Sequence, residues 1–347
     1  MTAGSADIAM TLKIPSDTNI DTIYAKIRAR RAAIREKGRL LGLCSLKGLP
    51  NLAAEIYPEQ GIQSPQQFQK RLTDDHVADL TWIGDFLGEP EHGFFLWLMK
   101  RYQVENIKVL FRGFHARLGL SEVIPYLVKM PVIFELPAES MITARDAAAF
   151  AETVSDARVR ELVEAGVSAY RKKAKPFYFD TAVDREYFTR LLSLADDLSL
   201  GPGTKLIALD ADIHLAMMAI RLKTTYRIEF DEVAPLLHVP GALPPATLKK
   251  VYSAESVTAA VQALPKKFGA ALGERFATPE DIERAMITYF HARAEATLIT
   301  SGITMAVVVA FYYLKRIELA NLIRLVEGYR YGLSAAELKK TLVPPAE

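Results

Sequence analysis

The sequence predicts an all-α protein made of three related helical units, and three observations support that prediction. Apolar residues recur with the 3.6-residue spacing of amphipathic helices along most of the 347-residue chain. Alternating runs of valine, isoleucine and threonine beside Asn-Gly or Gly-Gly turns, which would indicate strands, do not occur in it. One helical pattern recurs three times at a nearly constant interval, which indicates related units.

The repeated pattern is clearest around Asn106 and Asn321. A Lys-Arg pair stands six and five residues before each asparagine, and a glutamate follows sixteen residues after it. Apolar residues lie one, four, five, eight and twelve positions after each asparagine, which places them on one face of a helix. The residues at offsets four and five, which we expect to be buried within their own units, are Leu110, Phe111, Leu325 and Val326.

The middle copy of the pattern is weaker. His214 takes the place of the asparagine, and the acid that follows, Glu232, comes two residues late. The three central residues are nevertheless 108 and 107 residues apart, and chance agreement among ordinary amphipathic helices is the alternative explanation. Proline-rich connectors lie near both resulting boundaries. The predicted units, each of ordinary domain length, are 1–130, 131–240 and 241–347.

Composition excludes several classes of function. With 43 basic and 41 acidic residues the net charge is only +2, so the chain has no electrostatic signature of nucleic-acid binding. Cys44 is its only cysteine, which rules out an internal disulfide and a cysteine-based metal site and favours a reducing compartment. The N-terminal stretch has neither a basic start nor a long apolar core, so no secretory signal is expected.

The first predicted element is a long basic helix over 21–43 with isoleucines on its apolar side. Its other faces carry many basic residues, which suit either a polar partner or plain solvation. Few aromatic residues are interleaved with them, which argues against nucleic acid. The arginines predicted to bind a partner are Arg28, Arg31, Arg35 and Arg39.

Capping residues and prolines mark the starts of the later helices. Ser64 before Pro65 combines an N-cap with a first-turn proline, and Thr278 before Pro279 repeats the combination. Thr143, followed by Asp146, is expected to cap an alanine-rich helix. The predicted helical segments are 65–87, 94–120, 143 onward, 156–173, 177–198, 206–237 and others opening near 247, 253 and 278.

The segment 296–314 is nearly free of charge over about the length that crosses a bilayer. It contains several threonines, a serine and a glycine, and only 307–313 is strongly apolar. Because that run is shorter than a spanning helix, we expect a buried helix or helix pair and no membrane span.

No catalytic, cofactor-binding or metal-binding residue is predicted. The six histidines never show the His-x-x-x-His spacing that places two imidazoles on one helix face. The pairs 74–75 and 196–197 resemble the aspartate-rich magnesium motifs of all-α prenyl transferases but lack the further aspartate one turn along. The Gly-Pro-Gly-Thr-Lys stretch at 201–205 lacks the Gly-Lys-Ser/Thr ending of a phosphate loop and should simply open a helix. An all-α enzyme of the prenyl-transfer type, or an unrelated helical scaffold, would be the rival classes.

The motifs and their order resemble the C subunit of the archaeal and bacterial A/V-type rotary ATPases, a relative of the eukaryotic V-ATPase d subunit. IYAKIRARRAAIREKGRLLG looks like the first helix of that family, and LKGLPNLAAEIYPE resembles the next. KRYQVENIKVLFRGFHARLGLSEV and KRIELANLIRLVEGYRYGLSAAEL are similar to the two asparagine-containing helices of the family. The resemblance covers nearly the whole chain. The histidine at 214 and the apolar character of 296–314 depart from the family pattern.

The resemblance implies three all-helical domains around a pseudo-threefold axis, forming a funnel. It also implies a central-stalk connector, without catalytic activity or cofactor, that transmits torque between ATP hydrolysis or synthesis and proton or sodium movement. Its partners would be the rotor shaft subunits of the D and F type and the membrane proteolipid ring. Such a subunit would be cytoplasmic and peripheral to the membrane.

Overall fold

The computed structural model describes residues 14–59, 61–62, 64–265, 268 and 278–344. In these residues the regular secondary structure is helical throughout and includes no strand, which confirms the all-α prediction. In the described part, the α-helices are α1 (Ile20–Arg31), α2 (Gly38–Cys44), α3 (Leu49–Ile56), α4 (Pro65–Thr81), α5 (Glu91–Ala116), α6 (Leu120–Val123), α7 (Ala138–Ile142), α8 (Ala147–Glu152), α9 (Ala157–Lys173), α10 (Pro176–Asp197), α11 (Pro202–Arg221), α12 (Phe230–Val233), α13 (Pro245–Ser253), α14 (Val257–Gln262), α15 (Pro279–Thr300), α16 (Met305–Arg330) and α17 (Ala335–Thr341).

The prediction of one continuous basic helix over 21–43 is wrong, because the segment forms two helices, α1 and α2, with a non-helical stretch between them. At the break the backbone N–H of Arg35 donates to Glu318 Oε1 at 2.9 Å. Lys37 adopts a positive φ of 45°, which a continuous helix does not allow. A tertiary hydrogen bond to a distant helix therefore outweighs the local helix propensity of this stretch.

Most predicted helix starts are confirmed by their capping bonds. Ser64 Oγ accepts the N–H of Gln67, and the Thr278 side chain forms a capping box with Asp281. The alanine-rich helix starts later than expected, since its N-cap is Asp146, whose carboxylate accepts two backbone N–H groups. The predicted helix over 65–87 ends earlier, at Thr81, and continues as a short 3-10 turn.

The segment 296–314 forms the helix pair expected from its composition. Helix α15 ends at Thr300, a tight turn containing Gly302 with φ 61° follows, and α16 begins at Met305. The first ten residues of α16 are buried in the protein core. Within the described residues no helix combines the length and the apolar character that crossing a membrane requires.

The two repeated asparagines make the same contact. Asn106 Nδ2 donates to Val128 O at 2.8 Å, and its Oδ1 accepts the Val128 N–H at 2.8 Å. Asn321 binds the backbone of Val343 in the same two ways, at 2.7 and 3.0 Å. Each asparagine thus fixes a chain segment 22 residues further on, and we call this pair of bonds the asparagine clamp.

The middle copy lacks the clamp and is two residues longer. Its helix α11 continues into a π-helical turn at Leu222–Tyr226 before the left-handed residue Arg227. The corresponding left-handed residues, Arg117 and Gly332, follow their asparagines by eleven positions, whereas Arg227 follows His214 by thirteen. The extra two residues in the π-helical turn explain why the acid of the middle copy comes late.

Each long repeat helix packs against a helix of another predicted unit, and each of these partner helices starts with a proline. Helix α5 packs against α10, α11 against α15 and α16 against α4, so that the three contacts close a ring. A polar contact with the repeat helix recurs four residues after the first proline of each partner helix, α10, α15 and α4. The three contacts are Arg112 with Asp180, Arg221 with Glu283, and Glu327 with Gln69. The arrangement of whole units around a threefold axis stays a prediction that these local contacts favour.

The expected apolar positions of the repeat are buried, and their surroundings include residues of other predicted units. Phe111 is fully buried and stacks on Phe179 with ring centroids 3.6 Å apart, across the predicted boundary at 130. Leu325 and Val326 belong to a cluster with residues of α2, α3 and α4, near the other end of the sequence. The apolar faces of the repeat helices therefore hold neighbouring units together.

Candidate partner-binding surfaces

The structure separates the four arginines predicted to bind a partner. Arg31 Nη2 lies 2.8 Å from carboxylate oxygens of Glu36 and of Glu295, so this arginine holds the N-terminal segment on α15. Arg35 pairs with Glu318 of α16, with 3.4 Å between Nη1 and Oε1. Arg28 and Arg39 are exposed, and they are the two members of the set that face solvent.

A surface notch of about 610 Å³ lies where α1, α2 and α3 meet. Arg35 and Arg39 line it, together with Glu55 and small apolar residues of α1 and the following loop. The notch therefore offers a polar rim around an alanine floor. Arg35, Arg39 and this notch form one candidate contact surface.

A buried histidine joins the N-terminal segment to α15. His291 Nε2 lies 3.2 Å from Glu36 Oε1, and its Nδ1 lies 3.6 Å from Glu295 Oε2. Burial alone would raise the pKa of Glu36, but the bonds from His291 and Arg31 outweigh it and lower that pKa. The possible ligand atoms of Glu36, His291 and Glu295 are close enough to one another to hold a metal ion. Arg31 Nη2 contacts both carboxylates, so the group forms an ion-pair network.

A central cleft of about 270 Å³ lies where all three repeat helices come together. Helix α5 contributes Arg101, α11 contributes His214 and Met217, and α16 contributes Arg316 and Arg324. Helices α10 and α15 complete the lining. The repeat pattern singled out Arg101, His214 and Arg316, but it did not show that they meet in one cleft, because they lie about a hundred positions apart in the sequence.

Most charged groups around the central cleft are paired. Arg316 holds Asp210 with both guanidinium nitrogens, one of them at 2.8 Å, and Arg101 Nη1 lies 2.9 Å from Asp184 Oδ1. Burial disfavours the Asp184 carboxylate, but Lys108 and Arg101 outweigh burial and hold its pKa well below the usual range. Burial also lowers the pKa of His214, whose Nε2 is 3.5 Å from Asp184 Oδ2. Paired charges of this kind fix the relative positions of the repeat helices.

Arg324 is the exception in the cleft. Its Nη1 donates to Asn321 Oδ1 at 3.2 Å, and among the described residues no carboxylate oxygen lies within ion-pair distance of it. Sequence reasoning missed this arginine although a signal existed. It stands three residues after the repeated asparagine, where the other copies have the apolar Val109 and Met217.

The N-terminal ends of the three repeat helices converge at a second cavity of about 290 Å³. Glu91, Pro202 and Met305, the first residues of α5, α11 and α16, all line it. A Cβ atom on Gly203 would lie 3.3 Å from Ala306 Cα, so α11 and α16 touch closely here. The same helices leave room for the central cleft further along, and they therefore diverge from this end.

Exposed apolar side chains lie at both ends of the repeat helices. Ile299 and Ile303 are exposed in and beside the turn before α16, near the convergent end. Tyr126, Val132 and Tyr331 are exposed beyond the opposite ends of α5 and α16, with about 70% of each side chain accessible (66%, 71% and 72%). Each end of the repeat helices is therefore a candidate partner surface.

The two aspartate pairs and the Gly-Pro-Gly segment lie on helices or at helix ends. Asp74 accepts from Lys70 and from the backbone of Lys129, and Asp75 accepts from Tyr57 and Arg71. The pair at 196–197 lies exposed at the end of α10. The Gly-Pro-Gly segment at 201–203 opens α11, as predicted. Asp74 and Asp75 thus hold α4 against neighbouring segments.

The fold is that of an all-helical protein with repeated long-helix motifs. A family model described as "ATP synthase (C/AC39) subunit" matches residues 23–341, and the chain belongs to this family of A/V-type ATPase subunits. Among curated proteins, the C subunit of an A-type ATP synthase from Halorubrum lacusprofundi is 21% identical over 262 residues, covering 73% of this chain and 74% of the relative. The resemblance drawn from the motifs is confirmed.

Proposed function

We propose that this protein is the central-stalk connector of an A/V-type rotary ATPase. It links the rotor shaft subunits of the D and F type to the membrane proteolipid ring and transmits torque between them. It works on the cytoplasmic side as a peripheral member of the complex and carries out no chemistry itself. Family membership and the fold support this role.

The observation that carries the proposal is the closed ring of helix contacts around the central cleft. Each of α5, α11 and α16 packs against a helix of another unit, so the three predicted units are linked in a ring. Packed helical cores have low compressibility and transmit strain. A torque coupler needs such stiffness, together with a surface that engages the end of a shaft.

The two ends of the repeat helices suggest how the partners are arranged. At the convergent end, three helix N-termini give a partial positive charge beside the exposed Ile299 and Ile303. We assign this end to the proteolipid ring. The central cleft, toward which the helices diverge, we assign to the shaft.

The exposed Arg28 and Arg39 remain candidates for a polar partner surface, with plain solvation as the alternative. Arg31 and Arg35 contribute indirectly, since their ion pairs hold the N-terminal segment against α15 and α16. A double substitution of Arg28 and Arg39 by glutamine should therefore weaken partner binding without lowering the melting temperature.

The experiment that tests the connector role is a bridging assay. Tagged shaft subunits should capture the detergent-solubilised proteolipid ring only when this chain is present. If the tagged shaft subunits captured as much ring without the chain as with it, that result would contradict the proposal. If the chain bound only the shaft or only the ring, it would not be the connector between them.

A further inference from the structure

We propose that the central cleft binds an acidic side chain from a helix of the rotor shaft, with Arg324 as its main contact. The inference rests on the proposed function and adds the chemistry of the shaft residue that the cleft recognises.

Arg324 lies on α16 with its side chain lining the cleft and partly withdrawn from solvent. Its one hydrogen bond within the described part of the chain is to Asn321 Oδ1. That oxygen already accepts the N–H of Val343 at 3.0 Å as part of the asparagine clamp. The clamp is a neutral amide and supplies no negative charge. Burial lowers the pKa of the Arg324 guanidinium, as expected for a cation withdrawn from water.

The other arginines of the cleft differ from Arg324 in having carboxylate partners. Arg101 pairs with Asp184, Arg221 with Glu283 and Arg316 with Asp210. Four arginines and two acids thus line the cleft itself. Glu283 also acts on Arg324 through its charge, but its carboxylate contacts Arg221. Arg324 is therefore the cleft arginine without a direct carboxylate contact among the described residues, and a carboxylate entering the cleft would form that ion pair.

The rest of the lining favours a side chain on a helix over a free anion. Ile213, Met217, Met218 and Ile287 line the cleft beside the arginine. Methionine and isoleucine suit the apolar neighbours of an acid on an amphipathic helix, and methionine adapts its shape to a partner. A volume of about 270 Å³ admits side chains from such a helix but not the helix itself.

An arginine held without a counterion should destabilise the free protein and stabilise the complex. This combination distinguishes a binding residue from a structural one. A structural arginine would be destabilising to remove, whether or not the shaft is bound.

The test compares Arg324→Met in the full chain with the matched control Arg158→Met, an exposed arginine on α9. Calorimetric titration with purified shaft subunits should show binding about tenfold or more weaker for Arg324→Met and unchanged for the control. Raising the salt concentration from about 0.1 M to about 1 M should weaken the wild type more than Arg324→Met, because salt screens the ion pair. Equal shaft affinity of Arg324→Met and wild type would overturn the inference and leave the connector role standing. Failure of the wild type to bind the shaft would overturn both.

The second readout is the melting temperature of the isolated chain. Arg324→Met should raise it by about 2–4 °C, whereas a fall would show that the arginine already has a partner in the free protein and would overturn the inference. Millimolar inorganic phosphate gives a further control. If phosphate stabilises the wild type through Arg324 while the shaft affinity is unchanged by Arg324→Met, the cleft is a small-anion site instead.

Discussion

Asn321 is almost completely buried and satisfies both backbone groups of Val343. Replacing it with alanine leaves a buried N–H and a buried carbonyl without partners. We expect Asn321→Ala to lower the free energy of unfolding by about 2–4 kcal/mol. Urea denaturation measures the loss, and Asn51→Ala, which removes an exposed amide on α3, should change it by less than about 0.5 kcal/mol. Equal effects of the two substitutions would contradict the structural role of the clamp.

Asp210 predicts a specific dependence of stability on pH. Burial alone would raise its pKa, but the bidentate contact with Arg316 outweighs burial and holds the pKa below its ordinary 3.8. The carboxylate therefore contributes stability that is present above about pH 4 and is lost as the pH falls through the folded-state pKa. Asp210→Asn should cost about 2–4 kcal/mol at neutral pH, because Arg316 loses its partner.

Thermal melts of wild type and Asp210→Asn across pH 3 to 7 provide the measurement. The difference between the two melting temperatures should be largest near neutrality and shrink below about pH 4. The exposed Asp197→Asn serves as control and should follow the wild type throughout. A difference that stays constant over the whole range would show that the charge of Asp210 does not matter.

Sequence reasoning at the residue scale recognised the repeated asparagines but not Arg324. Asn106 and Asn321 share a pattern of neighbours, so comparison within the chain was enough to find them. Their bonding partners, 22 residues away, followed only from the structure. Arg324 departs from the apolar residues of the other copies, and that departure was a usable signal. The absence of a carboxylate contact to Arg324 could not be predicted from the sequence, because ion pairing here depends on helices that are far apart in sequence.

Phe111 illustrates the element scale, since it joins α5 to helices beyond the first predicted unit. Its ring stacks on Phe179 and meets Phe150 and Tyr170 edge to face. Phe111→Ala should lower the free energy of unfolding by about 3–5 kcal/mol, through lost burial and the cavity left behind. Tyr126→Ala removes an exposed ring and should change it by less than about 0.5 kcal/mol. An unchanged urea midpoint for Phe111→Ala would mean that the packing of α5 and α10 is misjudged.

Helix starts were predictable because caps are local. Ser64 and Thr278 each bond to a backbone group three residues away, which the sequence shows directly. The break after α1 was not predictable, because Glu318, which binds the backbone of Arg35, is 283 positions away. The π-helical turn at Leu222–Tyr226 was predictable in part. The late position of Glu232 indicated two additional residues, but not where the chain accommodates them.

At the scale of the whole molecule, the predicted units interlock rather than stand apart. Residues of α2 and α3 are covered by α16 and α17, so the two ends of the sequence share a core cluster. A fragment of residues 1–130 would expose that cluster and the Phe111 contacts together. We expect it to lack the near-ultraviolet circular dichroism of a packed protein. A sharp cooperative melt of the isolated fragment would contradict this expectation.

The most direct measurement of the central claim is coupling in a reconstituted complex. Head, shaft and proteolipid ring are assembled in vesicles with and without this chain, and ATP hydrolysis and ion movement are measured together. We expect ion movement to require the chain, while hydrolysis by the head and shaft continues without it. ATP-driven ion movement of equal rate in its absence would contradict the account.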